Sequence, residues 1–364
     1  GGFVAAWESF NGDNWEIYLR RYDENGVASE IFEVEGEATY NQSNVSITGV
    51  DDGGYLVAWD RQIDGLDIVA QRYDESNVPG GVIEVSSSSS SNRNTPDITE
   101  LQGGGFVVTW QSNQYSGWDG YGRLFDSAGK ASGDEFRLNT ITSGNQRYLS
   151  VAALSSGGFV AAWEDADQDG SSTGIYAQQF GKTGDPVGSE FRVNEVTANR
   201  QFDPSVVALP DGGWMVVYGS YNHPDGEYDS IFSRRFDADG LPVGVEALVS
   251  SEEGSYQQQP AVAVLADGSY VVAWREDQTN NIELRQYTAI EQLSSSGLVI
   301  GTEGSDILLG DAGSDLIIGG AGDDTIDGGS GYNTLQVFGT ADAYYWTVNS
   351  SGQVIFSDLV TDPD

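Results

Sequence analysis

Gly157-Gly158-Phe159-Val160-Ala161-Ala162-Trp163 is one of six near-copies of a single seven-residue phrase, and its recurrence decides the fold. The others are GGFVAAW at Gly1–Trp7, GGYLVAW at Gly53–Trp59, GGFVVTW at Gly104–Trp110, GGWMVVY at Gly212–Tyr218 and GSYVVAW at Gly268–Trp274. Successive copies start 52, 51, 53, 55 and 56 residues apart. Periods near fifty residues are the mark of a repeat architecture.

Outward from each copy, three further segments recur. A second follows by about ten to eighteen residues: IYLRRYD at Ile17, IVAQRYD at Ile68, YGRLFD at Tyr121, IYAQQF at Ile175, IFSRRFD at Ile231 and IELRQY at Ile282. A shorter third reads IFEV at Ile31, VIEV at Val82, EFRLN at Glu135, EFRVN at Glu190 and EALV at Glu246. A fourth precedes the next glycine pair, as in PDITEL at Pro96, PSVVAL at Pro204 and PAVAVL at Pro260. Each is four to seven residues long, β-branched and aromatic, with alternation, which is the strand signature. Asp-Gly pairs (Asp52-Gly53, Asp211-Gly212, Asp267-Gly268) mark tight turns between the fourth and first segments, and DxxG stretches at Asp23, Asp126 and Asp237 join the second to the third.

Four antiparallel strands per fifty residues make one propeller blade. The fold expected for residues 1–293 is an all-β propeller, with six blades favoured and seven or eight possible. The first two segments, taken as the inner pair, occur six times and the other two clearly five times, so strands from both chain ends are expected to close the ring. The tryptophan of each copy reads as packing between blades, with a ring of sugar-stacking platforms as the alternative. Trp15, Tyr115, Trp118, Tyr221 and Tyr228 lie in the variable loops and are binding candidates, or ordinary loop anchors.

Composition narrows the function. Fifty-six acidic against sixteen basic residues give a formal charge of −40, which argues against nucleic acid or an anionic membrane as partner. With no cysteine there are no disulfides or thiolate sites, and no apolar run is long enough to span a bilayer. The single histidine, His223 in SYNHPDGEYD, reads as a turn residue and excludes HExxH zinc chemistry. No catalytic motif is visible, so no enzyme is expected within these residues. The chain opens inside a repeat and ends at Asp364, as expected for part of a longer polypeptide.

The last quarter changes character. Laid in nines, residues 301–336 read GTEGSDILL, GDAGSDLII, GGAGDDTID and GGSGYNTLQ. Glycines permit tight turns with inward carbonyls, and the recurrent aspartate adds a hard anionic oxygen. Calcium needs six to eight such oxygens, more than one turn supplies, so two stacked turns must share an ion. With two nonapeptides per coil, Asp306 and Asp324 share one edge and Asp315 and Asn333 the other. Leu308, Ile317, Ile326 and Leu335 fill the core between two parallel sheets. The ligand positions are Gly301, Glu303, Asp306, Gly310, Ala312, Asp315, Gly319, Ala321, Asp324, Gly328, Ser330 and Asn333, with the three aspartates strongest. A second candidate calcium loop is Asp165, Asp167 and Asp169, in a DxDxDG stretch without the glutamate an EF-hand needs at its twelfth position.

These nonapeptides resemble the hemolysin-type calcium-binding (RTX) family. The blade repeats look like those of large secreted and adhesin-like bacterial proteins. The resemblance implies a short RTX parallel β-roll at 294–336, a β-rich segment at 337–364, type I export and folding outside the cell on calcium. A structural or adhesive surface protein is the function it favours, with cell-surface polysaccharide or further copies of the chain as partners. The alternatives are a calcium-dependent lectin-like propeller and the noncatalytic region of a larger secreted hydrolase.

Overall fold

In a computed structural model, the described residues are 2–34, 40–63, 65–87, 91–114, 117–166, 168–223, 228–250, 256–265, 267–277 and 281–287, followed by the strands 298–300, 307–309, 316–318, 325–327, 334–336, 344–348 and 354–358. All their regular structure is β, with no helix among them and none long and apolar enough to cross a membrane. Two compact units are present: Gly1–Ala266 with Tyr270–Gln286, and Asp267–Ser269 with Tyr287–Asp364.

The first unit is a six-bladed β-propeller built from six sequential antiparallel sheets. Blade one holds β1 (Phe3–Phe10), β2 (Trp15–Tyr22) and β3 (Phe32–Glu33). Blade two holds β4 (Gln42–Gly49), β5 (Tyr55–Gln62), β6 (Leu66–Tyr73) and β7 (Pro79–Glu84). Blade three comes next with β8 (Arg93–Glu100), β9 (Phe106–Ser112), β10 (Asp119–Phe125) and β11 (Phe136–Arg137). Blade four has β12 (Gln146–Ala153), β13 (Phe159–Ala166), β14 (Thr173–Phe180) and β15 (Pro186–Arg192). Blade five has β16 (Gln201–Ala208), β17 (Trp214–Tyr221), β18 (Asp229–Phe236) and β19 (Pro242–Leu248). Blade six has β20 (Gln257–Val264), β21 (Tyr270–Glu276) and β22 (Asn281–Tyr287).

The strand order departs from expectation in one respect. The glycine-aromatic phrase forms the second strand of each sheet, and the segment before it is innermost: β4, β8, β12, β16 and β20 pack one against the next around the axis. Alternation says that a segment is a strand, but not which edge of the sheet faces the axis. Blades one and six therefore have three strands each among the described residues, and no strand there joins the two ends.

The glycine pair is explained by the hairpin it closes. Gly53 has φ of 85°, which suits glycine, and a Cβ on Gly54 would lie 2.3 Å from the Tyr73 carbonyl oxygen. In the DxxG turns one aspartate oxygen accepts two backbone N–H groups, as Asp126 does from Ala128 at 3.0 Å and Lys130 at 2.9 Å.

The apolar cores lie between blades rather than within them. One joins Ile17 and Leu19 of blade one to Val57 and Trp59 of blade two; the next joins Ala58 and Ala70 to Val108 and Trp110. Leu138 of blade three meets Trp163 of blade four, and Val193 of blade four meets Tyr218 of blade five. Trp59, Trp110, Trp163 and Trp274 are buried. The stripe is packing between blades, and truncating such a side chain costs about 3–5 kcal/mol.

The second unit contains β23 (Leu298–Ile300), β24 (Ile307–Leu309), β25 (Leu316–Ile318), β26 (Thr325–Asp327) and β27 (Thr334–Gln336), then an antiparallel pair, β28 (Tyr344–Val348) and β29 (Val354–Asp358). The first five form two parallel sheets, β23-β25-β27 and β24-β26. Leu298 pairs with Leu316, Ile307 with Thr325 and Leu316 with Thr334, so the register advances eighteen residues per coil. Leu308 and Ile317 are buried with Ile326 packed against them.

Candidate calcium repeats and an axial carboxylate site

The twelve nonapeptide ligand positions, Gly301 to Asn333, lie outside the described residues. What is described is the frame around them. Ile307 follows Asp306 directly and Thr325 follows Asp324, and these two residues are strand partners. Leu316 and Thr334, which follow Asp315 and Asn333, are partners in the other sheet.

In the propeller, the start of each innermost strand shares one end of its sheet with the loop between the second and third strands. The pairs Gln42–Arg61, Gln146–Asp165 and Gln201–Ser220 set that register. Two residues further in, every innermost strand has a bulge and a left-handed residue: Asn44, Thr95, Tyr148, Asp203 and Gln259, with φ between 49° and 54°. These are not glycines, so the neighbouring blade must hold the strained conformation.

It does so with the residue after each core aromatic. Glu8 accepts the Asn44 N–H, Asp60 accepts that of Thr95 at 3.3 Å, Gln111 that of Tyr148 at 3.0 Å, and Glu164 that of Asp203 at 2.7 Å. Each bond runs to the next blade. In blade five the position is Gly219, and there the Asp203 carboxylate takes the Gln259 N–H instead. A second belt lies further along the same strands. Asp97 Oδ2 accepts Val151 N–H at 2.8 Å, Ser150 Oγ accepts Val206 N–H at 3.1 Å and Ser205 Oγ accepts Val262 N–H at 3.3 Å. Nothing in the sequence pattern announces either belt, because the residue types differ from blade to blade.

Burial changes the proton affinity of these clamps. It pushes the Asp60 carboxyl up to about 6, against hydrogen bonds from Ser43 and Asn44. It pushes Glu164 up to about 7 against the hydrogen bond from the Asp203 N–H, with the Asp203 charge adding to the rise and Arg200 and Arg147 opposing it. Burial likewise raises Asp203, opposed by the Gln259 N–H and by Arg200 and Arg275. Asp165 is pushed up to about 6, by burial first. A carboxyl whose folded value exceeds its unfolded one stabilises fully below the unfolded value and loses that contribution as pH rises through the folded value. The propeller is therefore expected to be most stable near pH 4–5 and to lose on the order of a few kcal/mol by pH 8. Urea unfolding followed by tryptophan fluorescence in chelator checks this; a midpoint that rises over the same interval would refute it.

The loop aromatics divide. Trp15, Tyr221 and Tyr228 are exposed, and Trp15 packs at a tilt against Phe10, ring centroids 5.6 Å apart, while Tyr228 meets Tyr256. Trp118 is half-buried under the Arg147 guanidinium at 5.0 Å, and Tyr115 lies outside the described residues. His223 is not a solvated turn residue. It is buried, its ring 3.9 Å from that of Phe232, with Nε2 2.8 Å from Glu246 Oε1. Tyr218 donates to Glu246 Oε2 at 2.6 Å, so the loop is tied to the blade core. Of the acidic loop, Asp165 is buried, Asp169 is half-buried and Asp167 lies outside the described residues. Among the described residues no three histidine or acidic side chains form a metal cluster.

Residues 300–335 match the RTX calcium-binding nonapeptide repeat in four copies. These repeats bind calcium, so calcium is a ligand of this chain, and they are typical of secreted proteins. No curated protein sequence matches the chain. Among solved structures, an α-L-arabinanase from Penicillium chrysogenum complexed with arabinobiose is similar over 79% of this chain and 89% of its own, at 15% identity and a TM-score of 0.58. A protein of unknown function from Dyadobacter fermentans is similar over 76% of this chain and 87% of its own, at 13% identity and 0.56. A PL25 ulvan lyase covers 79% of this chain and 76% of its own, at 10% identity and 0.50. The expectation that these residues hold no enzyme is corrected by these neighbours: the fold is one in which polysaccharide-cleaving enzymes are built. The physical reason is that a propeller assembles its axial groups from separate blades, so no contiguous motif marks them.

Proposed function

We propose that this chain is a secreted, calcium-dependent protein whose propeller binds and cleaves an extracellular polysaccharide at its axial face. The observation that carries this reading is Glu164. Its carboxyl is buried, held at about 7, and oriented by the Asp203 N–H of the next blade. Cleavage of a glycosidic bond needs one carboxyl that is protonated near neutral pH to meet the leaving oxygen, and a second that is ionised. Glu164 suits the first role. Asp203 is the candidate for the second: burial raises its carboxyl, and the Gln259 N–H, Arg200 and Arg275 oppose that rise. Tyr148, exposed on the innermost strand of blade four, and the loop aromatics Trp15, Tyr221 and Tyr228 at the same end of their blades offer apolar faces for sugar rings.

The likeness to an arabinanase and an ulvan lyase supports this assignment, and the nonapeptide repeats support an extracellular setting. The axial carboxylates clamp neighbouring blades, and the Glu164–Asp203 pair adds to that role a protonatable carboxyl beside a second one, which favours cleavage over a purely structural or adhesive role. Reducing-end release from arabinan, ulvan and other acidic and neutral polysaccharides tests it. Glu164→Gln keeps the acceptor for the Asp203 N–H but cannot donate its proton, and should lower the rate about 10²–10⁴-fold with an unchanged fold. Wild-type cleavage retained in the variant, or no cleavage of any polysaccharide by the wild type, would reject the proposal.

A further inference from the structure

Blade four differs from its neighbours at one register. Two residues after the core aromatic, blades two, three and five carry Arg61, Ser112 and Ser220, whereas blade four carries Asp165. Asp165 is fully buried, paired with Gln146 on one side and Gly174 on the other. Its Oδ2 accepts the Gln146 amide at 2.9 Å and the Gln168 amide at 3.4 Å. Its Oδ1 is shut off from solvent and makes no well-formed hydrogen bond among the described residues, though the Gln168 N–H also reaches the carboxylate. An anionic oxygen left so costs several kcal/mol in general, unless a proton or a cation meets it.

A second oxygen in the same condition lies beside it. Asp169 Oδ2 is also solvent-shielded and without a donor among the described residues. It sits over Gly174, the direct strand partner of Asp165: a Cβ on that glycine would come within 2.8 Å of Asp169 Oδ2. The absence of a side chain at Gly174 is what makes room for the Asp169 carboxylate above the pair. Asp165, Asp169 and Glu190 all act electrostatically on Tyr176, with only Arg192 opposing them, so three negative charges crowd one end of the blade. Glu190 is already engaged, by the Thr140 N–H at 2.6 Å and the Ile141 N–H at 3.2 Å, and holds blade three to blade four. The two oxygens without a well-formed hydrogen bond belong to the aspartates alone.

We propose that Asp165 Oδ1 and Asp169 Oδ2 form a calcium site inside the propeller, separate from the nonapeptide array. Two hard anionic oxygens on the same face of the Asp165–Gly174 strand pair suit a calcium ion, whose remaining positions would be filled by water and carbonyl or amide oxygens. Gln168 now bridges Asp165 and Glu190 as a donor, its Nε2 3.1 Å from Glu190 Oε1. Turning that amide over would present its oxygen to the ion. The site would fasten the loop of blade four and, through Glu190, its junction with blade three.

Equilibrium dialysis of the full chain against ⁴⁵Ca²⁺ counts the ions bound. The background is Asp306→Asn/Asp315→Asn/Asp324→Asn, which weakens the array, alongside the wild type. In both, Asp169→Asn and Gly174→Ala should each remove one calcium per chain, and the array variant alone should retain that ion. Terbium in place of calcium should luminesce on excitation of Tyr176 and Trp163, and lose that signal in Asp169→Asn. Asp169 is half-buried and at a loop, so its variant tests the site even if Asp165→Asn fails to fold. Equal calcium counts with and without Asp169→Asn, in either background, would overturn the proposal. Loss of every ion in the array variant would overturn it too, while leaving the nonapeptide sites standing.

Discussion

Removing calcium with EGTA is expected to dissolve the parallel-strand unit while the propeller stays folded. The three-residue strands β23 to β27 bury a core of which Leu308, Ile317 and Ile326 are the described members. So little apolar area cannot offset the conformational entropy of ordering the turns around it. Residues 301–336 contain seven acidic and no basic residues, so without cations the coils also repel one another. Bound calcium removes that repulsion and adds ligand bonds. At a thousandfold excess over its dissociation constant, one site stabilises by about 4 kcal/mol. Far-UV circular dichroism should lose parallel-sheet signal on chelation and recover it on adding calcium, with proteolysis confined to roughly the last eighty residues. Tryptophan fluorescence of the buried Trp59, Trp110 and Trp163 should move little. A spectrum indifferent to EGTA, or a propeller that melts first, would contradict this account.

Asp97 carries the second large effect. Its Oδ1 accepts the Ser46 hydroxyl of blade two at 2.7 Å, and its Oδ2 accepts the Val151 N–H of blade four at 2.8 Å. One carboxylate in blade three thus fastens three successive blades beside the axis. Asp97→Ala leaves the Ser46 hydroxyl and the Val151 and Ile98 N–H groups without their acceptor and should cost on the order of 3 kcal/mol. Asp97→Asn should cost less than about 1 kcal/mol. Its amide oxygen can still take the Val151 N–H and its NH₂ can donate to Ser46 Oγ, so that only the Ile98 N–H, which Oδ1 accepts at 3.0 Å, loses its acceptor. It also spares the protein a charge whose burial pushes the Asp97 carboxyl above its ordinary range. Urea midpoints at constant slope measure both. Equal losses in the two variants would mean that the charge, rather than the hydrogen-bond pattern, binds the blades.

How much of this is legible in the sequence depends on how locally each residue acts. Gly53-Gly54 and Asp126 serve turns that close within a few residues, so their spacing announces hairpins, and the count of six phrases equals the count of blades. The nonapeptide glycines and aliphatics are equally local, and the eighteen-residue register arises from them. Asn44, Thr95, Tyr148, Asp203 and Gln259 share a left-handed backbone but no side-chain chemistry. Their conformation is imposed by acceptors on the neighbouring blade, such as Glu164 for Asp203, and a single sequence shows no trace of it. The axial carboxylates are invisible for the same reason, and with them the basis for expecting an enzyme. His223 reads as a turn residue in the sequence because Glu246, its partner, stands on another strand.

The register of the parallel unit has a consequence for insertions and deletions. Odd-numbered nonapeptides feed one sheet and even-numbered ones the other, since Ile307 pairs with Thr325 and Leu316 with Thr334. Excising nine residues would carry every later strand across to the opposite wall and present β28 and β29 from the wrong side. Excising eighteen would shorten the coil by one whole turn and leave the remainder in place. The array thus obeys a parity rule: only in pairs can its repeats be gained or lost without disturbing the strands downstream.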